Sequence, residues 1–152
     1  MNASKFSLDV LARVQHAWGG YDDWQGEHPR RDSLHRGEFR IFCGEGRFDP
    51  VRKNAVVHKR SGVALNFQIA LAADKVESFE FSLTWLDLDW TLMFHLDPRQ
   101  ANWPAHPLHH IQFQAPKVCT GTPPFSGWRI PFGETEPDRI LMYVVHCLEN
   151  EP

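Results

Sequence analysis

The strongest constraint on the fold is a two-residue alternation of apolar and polar side chains in the middle of the chain. Residues 63–71 set an apolar series against small or polar neighbours, and that series is Val63, Leu65, Phe67, Ile69 and Leu71. Segments 38–43, 76–85 and 90–97 carry the same alternation. Successive side chains of a β-strand point to opposite faces. The pattern therefore predicts an antiparallel sheet with one packed face and one wetter face.

The links between these segments are short, which predicts the order of the strands. Ala73–Lys75 and Asp87–Asp89 separate three of them. Strands joined by so few residues are usually neighbours in the sheet, so we expect a meander. Further strands are predicted around residues 55–58, 108–114 and 128–132.

A helical period appears at both ends of the chain. Residues 7–18 place apolar side chains three and four apart, with Ser7 as the expected N-cap and Gly19 as the stop. Near the end, Thr135 and Asp138 resemble a capping box before an apolar stripe. The stripe consists of Ile140, Leu141, Val144, Val145 and Leu148. Two amphipathic helices and one amphipathic sheet predict a two-layer α+β domain with both helices packed on one face.

Size and composition are those of one globular domain spanning residues 1–152. Hydrophobic residues make up 42% of the chain and charged residues 23%, which excludes a disordered or fibrous protein. The formal net charge of −3 gives no support to generic nucleic-acid binding. A basic run from His28 to Arg40 has two interpretations. It is either a solvated loop or a contact for phosphate or an acidic partner.

The cysteines and the chain start favour a reduced, cytoplasmic protein. Cys43, Cys119 and Cys147 are widely spaced and form no CxxC pair, so a disulfide framework is not expected. The first residues read as the start of a helix and lack the pattern of a signal peptide. No window approaches the roughly 18 apolar residues that span a bilayer, so no membrane partner is expected.

Histidines concentrate between residues 95 and 110, where His95, His106, His109 and His110 lie. The spacing of His106 to the later pair would put zinc ligands on one helical face. Pro107 disfavours the helical conformation at His106, however, and the segment reads as a loop entering a strand. The chain has no HExxH motif either, so we expect neither a metal nor a cofactor.

Acid–base chemistry is the sharper interpretation of this cluster. His95 and Asp97 share one face of strand 90–97, and His110 and Gln112 share one face of strand 108–114. If the two strands pair, the imidazoles come close together, and Asp97 can orient one of them. Arg129 points away from the core and can hold a phosphate or carboxylate. These residues suit phosphodiester cleavage.

An alternative to acid–base chemistry remains open at this point. Histidine and glutamine on an exposed sheet face are also ordinary surface residues, and Arg129 can simply pair with Asp97. In that case the protein is a non-catalytic interaction module. Its sheet face or its Arg30–Arg40 segment would then bind a protein partner or a second copy.

Residues 90–148, a little over a third of the chain, carry a resemblance to known proteins. HPLHHIQF at 106–113, WRIPF at 128–132 and a helix opening on Glu136-Pro137 resemble a pattern in small uncharacterised bacterial families. Those families combine a His-Pro-x-x-His-x-Gln strand, an Arg-Ile-Pro strand and a closing helix, and some occur near toxin–antitoxin or defence genes. The resemblance implies roles for His106, His110 or His109, Gln112 and Arg129. It adds to the hypothesis of a toxin-like or defence-associated bacterial nuclease.

Overall fold

The computed structural model describes residues 2–44, 56–88, 90–99, 108–114 and 129–150. Two helices, a 3₁₀ turn and nine strands lie in these ranges. In chain order they are α1 (Ala3–Trp18), the 3₁₀ turn (Tyr21–Asp23), β1 (Trp24–Gln25), β2 (Arg30–Ser33), β3 (Glu38–Cys43), β4 (Val56–His58), β5 (Val63–Ala72), β6 (Lys75–Trp85), β7 (Trp90–Leu96), β8 (His109–Gln114), β9 (Arg129–Pro131) and α2 (Pro137–Glu149).

All strand pairs are antiparallel, and the sheet runs β1-β4-β5-β6-β7-β8-β9. The last six of these strands follow the chain order, which confirms the predicted meander. Strand β3 shares one edge of β5 with β4, and β2 pairs with β3. The period-two segments therefore form the centre of the sheet.

Both helices lie against the apolar face of the sheet. Val10 and Val14 of α1 and Ile140 and Leu141 of α2 are buried in one core with the inward side chains of β3, β5 and β6. This arrangement confirms the α+β fold with N- and C-terminal helices. No helix within the described ranges is long and apolar enough to cross a membrane.

The end of α1 is joined to the sheet by two tryptophans. The rings of Trp18 and Trp24 stack with centroids 4.1 Å apart. The indole Nε1 of Trp24 donates a hydrogen bond to the carbonyl of Trp18 at 3.2 Å. Both rings are almost completely buried, so this contact fixes β1 beside the helix terminus.

The segment after α1 differs from the loop that the sequence predicts. Arg30–Ser33 is a strand, paired with Phe39–Phe42 of β3. The guanidinium of Arg30 lies over the ring of Phe42 at 4.8 Å, and that of Arg31 lies over Phe39 at the same distance. The strand was missed because arginine stems, which do not register as apolar residues, cover the phenylalanine rings.

The predicted N-cap of α1 is wrong by five residues, and that of α2 by one. Asn2 caps α1, accepting a hydrogen bond from the backbone of Ser4 at 2.8 Å. Ser7 lies inside the helix, where its hydroxyl donates to the carbonyl of Ser4. In α2 the N-cap is Glu136, which makes no side-chain cap bond. The helix begins there because Pro137 has the backbone angle of a first helical residue.

The face of the sheet away from the helices is more buried than expected. Asn66, Ser82, Thr84, Met93 and Gln112 alternate with the core residues and are each less than a tenth exposed. The hydroxyl groups of Thr84 and Thr91 form a cross-strand hydrogen bond at 3.1 Å. We call this second face of the sheet the polar face. Only part of it is exposed to solvent.

Cys43 is buried at the end of β3, and its thiol donates to the carbonyl of Glu27 at 3.1 Å. Burial raises the pKa of this thiol to about 12, with a smaller contribution from the Glu27 carboxylate. Cys147 is exposed on α2, and Cys119 lies outside the described residues. Cys43 is therefore an inert core thiol near neutral pH.

Candidate functional site

The polar face brings two of the predicted residues into direct contact. The register of β7 and β8 places His95 opposite His110. Their rings stack with centroids 5.0 Å apart and planes inclined by 12°. His110 is fully buried, whereas the His95 side chain keeps 14% of its surface exposed. The two imidazoles form one unit, of which only His95 reaches the surface.

A residue that sequence reasoning missed stands on the other side of His95. Glu80 of β6 is its cross-strand partner. Oε2 of Glu80 lies 3.8 Å from Nδ1 of His95, and the carboxylate side chain is 38% exposed. A carboxylate at this distance favours the protonated imidazole. The signal was available, because the alternation in 76–85 and the meander place Glu80 beside His95.

Asp97 was expected to orient His95, and the structure gives it a different contact. It follows the last residue of β7, and its Oδ1 accepts a hydrogen bond from the backbone N–H of Arg99 at 3.0 Å. This bond supports the turn after the strand. Glu80 is accordingly the carboxylate within ion-pair distance of the ring.

Gln112 and Arg129 are next to the histidine pair along the sheet. Gln112 is buried on the polar face of β8, opposite Met93 on one side and Arg129 on the other. This register puts the backbone of Arg129 beside Gln112, but its side chain lies outside the described residues, as does His106. His109 pairs with Leu96 and so belongs to the helix-covered face, as predicted.

A concavity of about 670 Å³ opens on the polar face where β3, β5, β6 and β7 end. Its charged and polar lining consists of Glu38, Arg40, Gln68, Glu77, Ser78, Glu80, His95, Asp97 and Arg99. Glu80 and His95 thus face a space large enough for a small ligand. His110 is absent from the described lining. Of the two stacked histidines and the carboxylate beside them, Glu80 and His95 therefore touch this space.

The guanidinium of Arg40, one of the cations in the lining, is held by two contacts. The guanidinium of Arg40 binds Oδ2 of Asp32 at 2.9 Å and lies 4.4 Å from the centre of the Phe42 ring. These contacts fix the plane of the guanidinium and leave it 40% exposed. A fixed guanidinium is a good anchor for an anionic oxygen.

The described residues contain no group of three or more histidine, cysteine, aspartate or glutamate side chains arranged to hold a metal ion. Comparisons with protein-family models, curated proteins and solved structures find no match to this chain. The candidate site is assigned from its own geometry.

Proposed function

We propose that the chain is a ribonuclease that cleaves RNA by internal transesterification at the concavity on its polar face. The observation that carries this proposal is the contact between Glu80 and His95 at the wall of that concavity. A carboxylate and an imidazole side by side supply one base and one acid near neutral pH. RNA needs no more than these two groups, because its 2′-hydroxyl provides the nucleophile.

In the proposed reaction, Glu80 takes the proton of the 2′-hydroxyl as its oxygen attacks the adjacent phosphorus. The bond from phosphorus to the 5′-oxygen breaks, and protonated His95 gives its proton to that leaving oxygen. The products are a 2′,3′-cyclic phosphate and a 5′-hydroxyl. The proton count balances, and no oxidant or further reactant is required.

Arg40 and Arg99 of the lining are the groups that would hold the scissile phosphate. Against them stand the carboxylates of Glu38, Glu77, Glu80 and Asp97. A lining with this balance disfavours a long polyanion, so that binding is restricted to one or two phosphates that contact an arginine directly. The favoured substrate is therefore a short single-stranded stretch whose backbone enters the concavity at one point.

The finer proposal is a toxin-like or defence-associated nuclease of a bacterial cytoplasm. It is supported by the resemblance of segments 106–113 and 128–132 to families near such genes. In this proposal the buried residues His110 and Gln112 support the site from the neighbouring strand β8, and Arg129 of β9 lies beside Gln112.

The test is cleavage of a fluorescently labelled single-stranded RNA by purified protein. Glu80→Gln and His95→Gln should each lower kcat/KM by about 100-fold or more, the usual loss when one proton-transfer group is removed. Glu77→Gln is the matched control, because Glu77 lines the same concavity and pairs with Lys75 at 3.0 Å. Equal activity in all four proteins, or no cleavage by the wild type, would remove the proposal.

An open strand edge favours a second candidate, a non-catalytic interaction module. Within the part of the chain that the structure describes, β2 pairs with β3 alone. Leu34 donates its backbone N–H to Glu38, so the alternation of an antiparallel pair turns the N–H of Ser33 to the outer edge. Such an edge can add a strand from a partner or a second copy.

Sedimentation velocity tests the second candidate in the form of a homodimer joined through β2. If β2 joins two copies, the wild type sediments as a dimer, and Ser33→Pro is monomeric because proline removes the outward donor. A wild type that stays monomeric up to high micromolar concentration excludes the homodimer.

A further inference from the structure

His110 has an unusual position for a group that was predicted to be catalytic. Its side chain is fully buried, yet its ring stacks on that of His95, which among the described histidines is the one that lines the concavity. Because His110 is absent from the described lining of the concavity, any part it plays in a reaction there has to act through a residue that does line it.

Burial decides how charge divides between the two rings. Moving a charged imidazole out of water is costly, so the buried ring of His110 favours its neutral form. Two protonated rings 5.0 Å apart would also repel each other. A single positive charge belongs on His95, where water and the Glu80 carboxylate both stabilise it.

The neutral ring of His110 then presents its π face to a cation. A positive charge within about 6 Å of an aromatic ring centre is stabilised by it. His95 thus has a carboxylate at one side and a ring face at the other. The other charged groups that line the concavity are Glu38, Arg40, Glu77, Asp97 and Arg99.

We propose that His110 is a positioning residue that holds the His95 ring in place and favours its protonated form, so that His95 serves as the acid of the reaction. This assignment of the acid rests on the proposed function. The prediction that His95 carries the positive charge while His110 stays neutral does not rest on the proposed function, and it is measured without substrate.

The first measurement is an NMR titration of the histidine ring signals of the wild type from pH 5 to pH 8, assigned with single variants. His95 should titrate within this range, whereas His110 should keep one neutral chemical shift throughout. A His110 ring that takes up the proton while His95 stays neutral would overturn the inference.

The second measurement separates a ring face from mere filling of space. His110→Phe keeps an aromatic face, and His110→Leu fills the site without one. The midpoint of His95 protonation should stay within about 0.3 pH units in the phenylalanine variant. It should fall by about 0.4–0.7 units in the leucine variant, as expected for loss of a cation–π contact.

The acid-dependent limb of the pH–rate profile should move by the same amount in the leucine variant. Circular dichroism and dispersed amide spectra establish that each variant is folded before it is titrated. Equal midpoints in the leucine variant and the wild type contradict the role of the ring face. If a variant does not fold, the titration of the wild type alone tests whether His95, and not His110, takes up the proton.

Discussion

Glu80 and His95 face each other across strands β6 and β7, with the carboxylate oxygen 3.8 Å from Nδ1 of the imidazole. Each residue is unremarkable in its own strand. Together they put a proton acceptor and a proton donor at the wall of the same concavity. The buried ring of His110 stacks on His95 from the neighbouring strand β8, so that the partly exposed ring of His95 is supported by a buried one.

The mixed charge of the concavity predicts a shallow dependence of cleavage on salt. Arg40 and Arg99 are its two arginines, and each phosphate neutralised on a single strand contributes about −0.7 to the log–log slope. We expect log kcat/KM to fall with log[KCl] with a slope of about −1.4 between 50 and 200 mM. A slope steeper than about −4 would indicate a long basic groove instead.

The buried thiol of Cys43 predicts a loss of stability in alkaline solution. Its pKa is raised from 9.0 to about 12 in the folded state. Above pH 9 the unfolded chain has released this proton and the native state has not, so the free energy of unfolding falls as pH rises. The contribution approaches about 1.4 kcal/mol per pH unit between pH 9 and pH 12.

Urea unfolding at pH 8, 9, 10 and 10.5 measures this dependence. Cys43→Ala should lose less stability than the wild type over the alkaline range, whatever its stability at pH 8. Cys147→Ala is the control, because Cys147 is exposed. Parallel curves for wild type and Cys43→Ala would show that the thiol is not protected by the fold.

A single glycine sets the turn between β4 and β5. Gly62 has a φ of +69° and donates its N–H to the carbonyl of His58 at 2.8 Å, with open space around its Cα. Gly62→Ala should cost about 1–2 kcal/mol through backbone strain alone. Gly133, which is equally open but has no positive φ, is the matched position.

Thermal or urea unfolding compares the two variants directly. Gly133→Ala should change the free energy of unfolding by no more than about 1 kcal/mol, and in the stabilising direction if its backbone suits alanine. Equal losses of unfolding free energy in Gly62→Ala and Gly133→Ala would mean that the positive φ of Gly62 is not the cause.

The indole hydrogen bond from Trp24 to Trp18 predicts a sensitive position at the end of α1. Trp24→Phe keeps a ring but leaves the buried carbonyl of Trp18 without this donor, which should cost about 1–3 kcal/mol. Trp90→Phe is the same change at a side chain that is 39% exposed, where we expect less than about 0.5 kcal/mol. Comparison of the two unfolding midpoints tests the contact.

Much of this fold follows from local pattern. The alternation in residues 63–71, 76–85 and 90–97 was strong enough to predict β5, β6 and β7 and their order, because a one-residue slip would expose the whole apolar set. Strand β2 was not predictable in the same way. Its apolar cover comes from Arg30 and Arg31 stacked on phenylalanine rings, a contact that no hydropathy pattern records.

The site was predictable in part for a related reason. Pairing of His95 with His110 follows from strand order and alternation, and the register bears it out. Glu80 beside His95 follows from the same strand order and alternation, whereas the contact of Asp97 with the turn depends on where β7 ends, which the sequence leaves open by a residue or two. The complete burial of His110 depends on tertiary packing and could not be read from its strand.

The most direct test of the central claim is the chemistry of the cleaved ends, measured by mass spectrometry on a short RNA of defined sequence. If Glu80 and His95 perform the proposed proton transfers, the products carry 2′,3′-cyclic phosphate and 5′-hydroxyl ends, and an all-2′-deoxy version of the oligomer is not cleaved. Products with 5′-phosphate ends, or cleavage of the deoxy oligomer, would contradict the account.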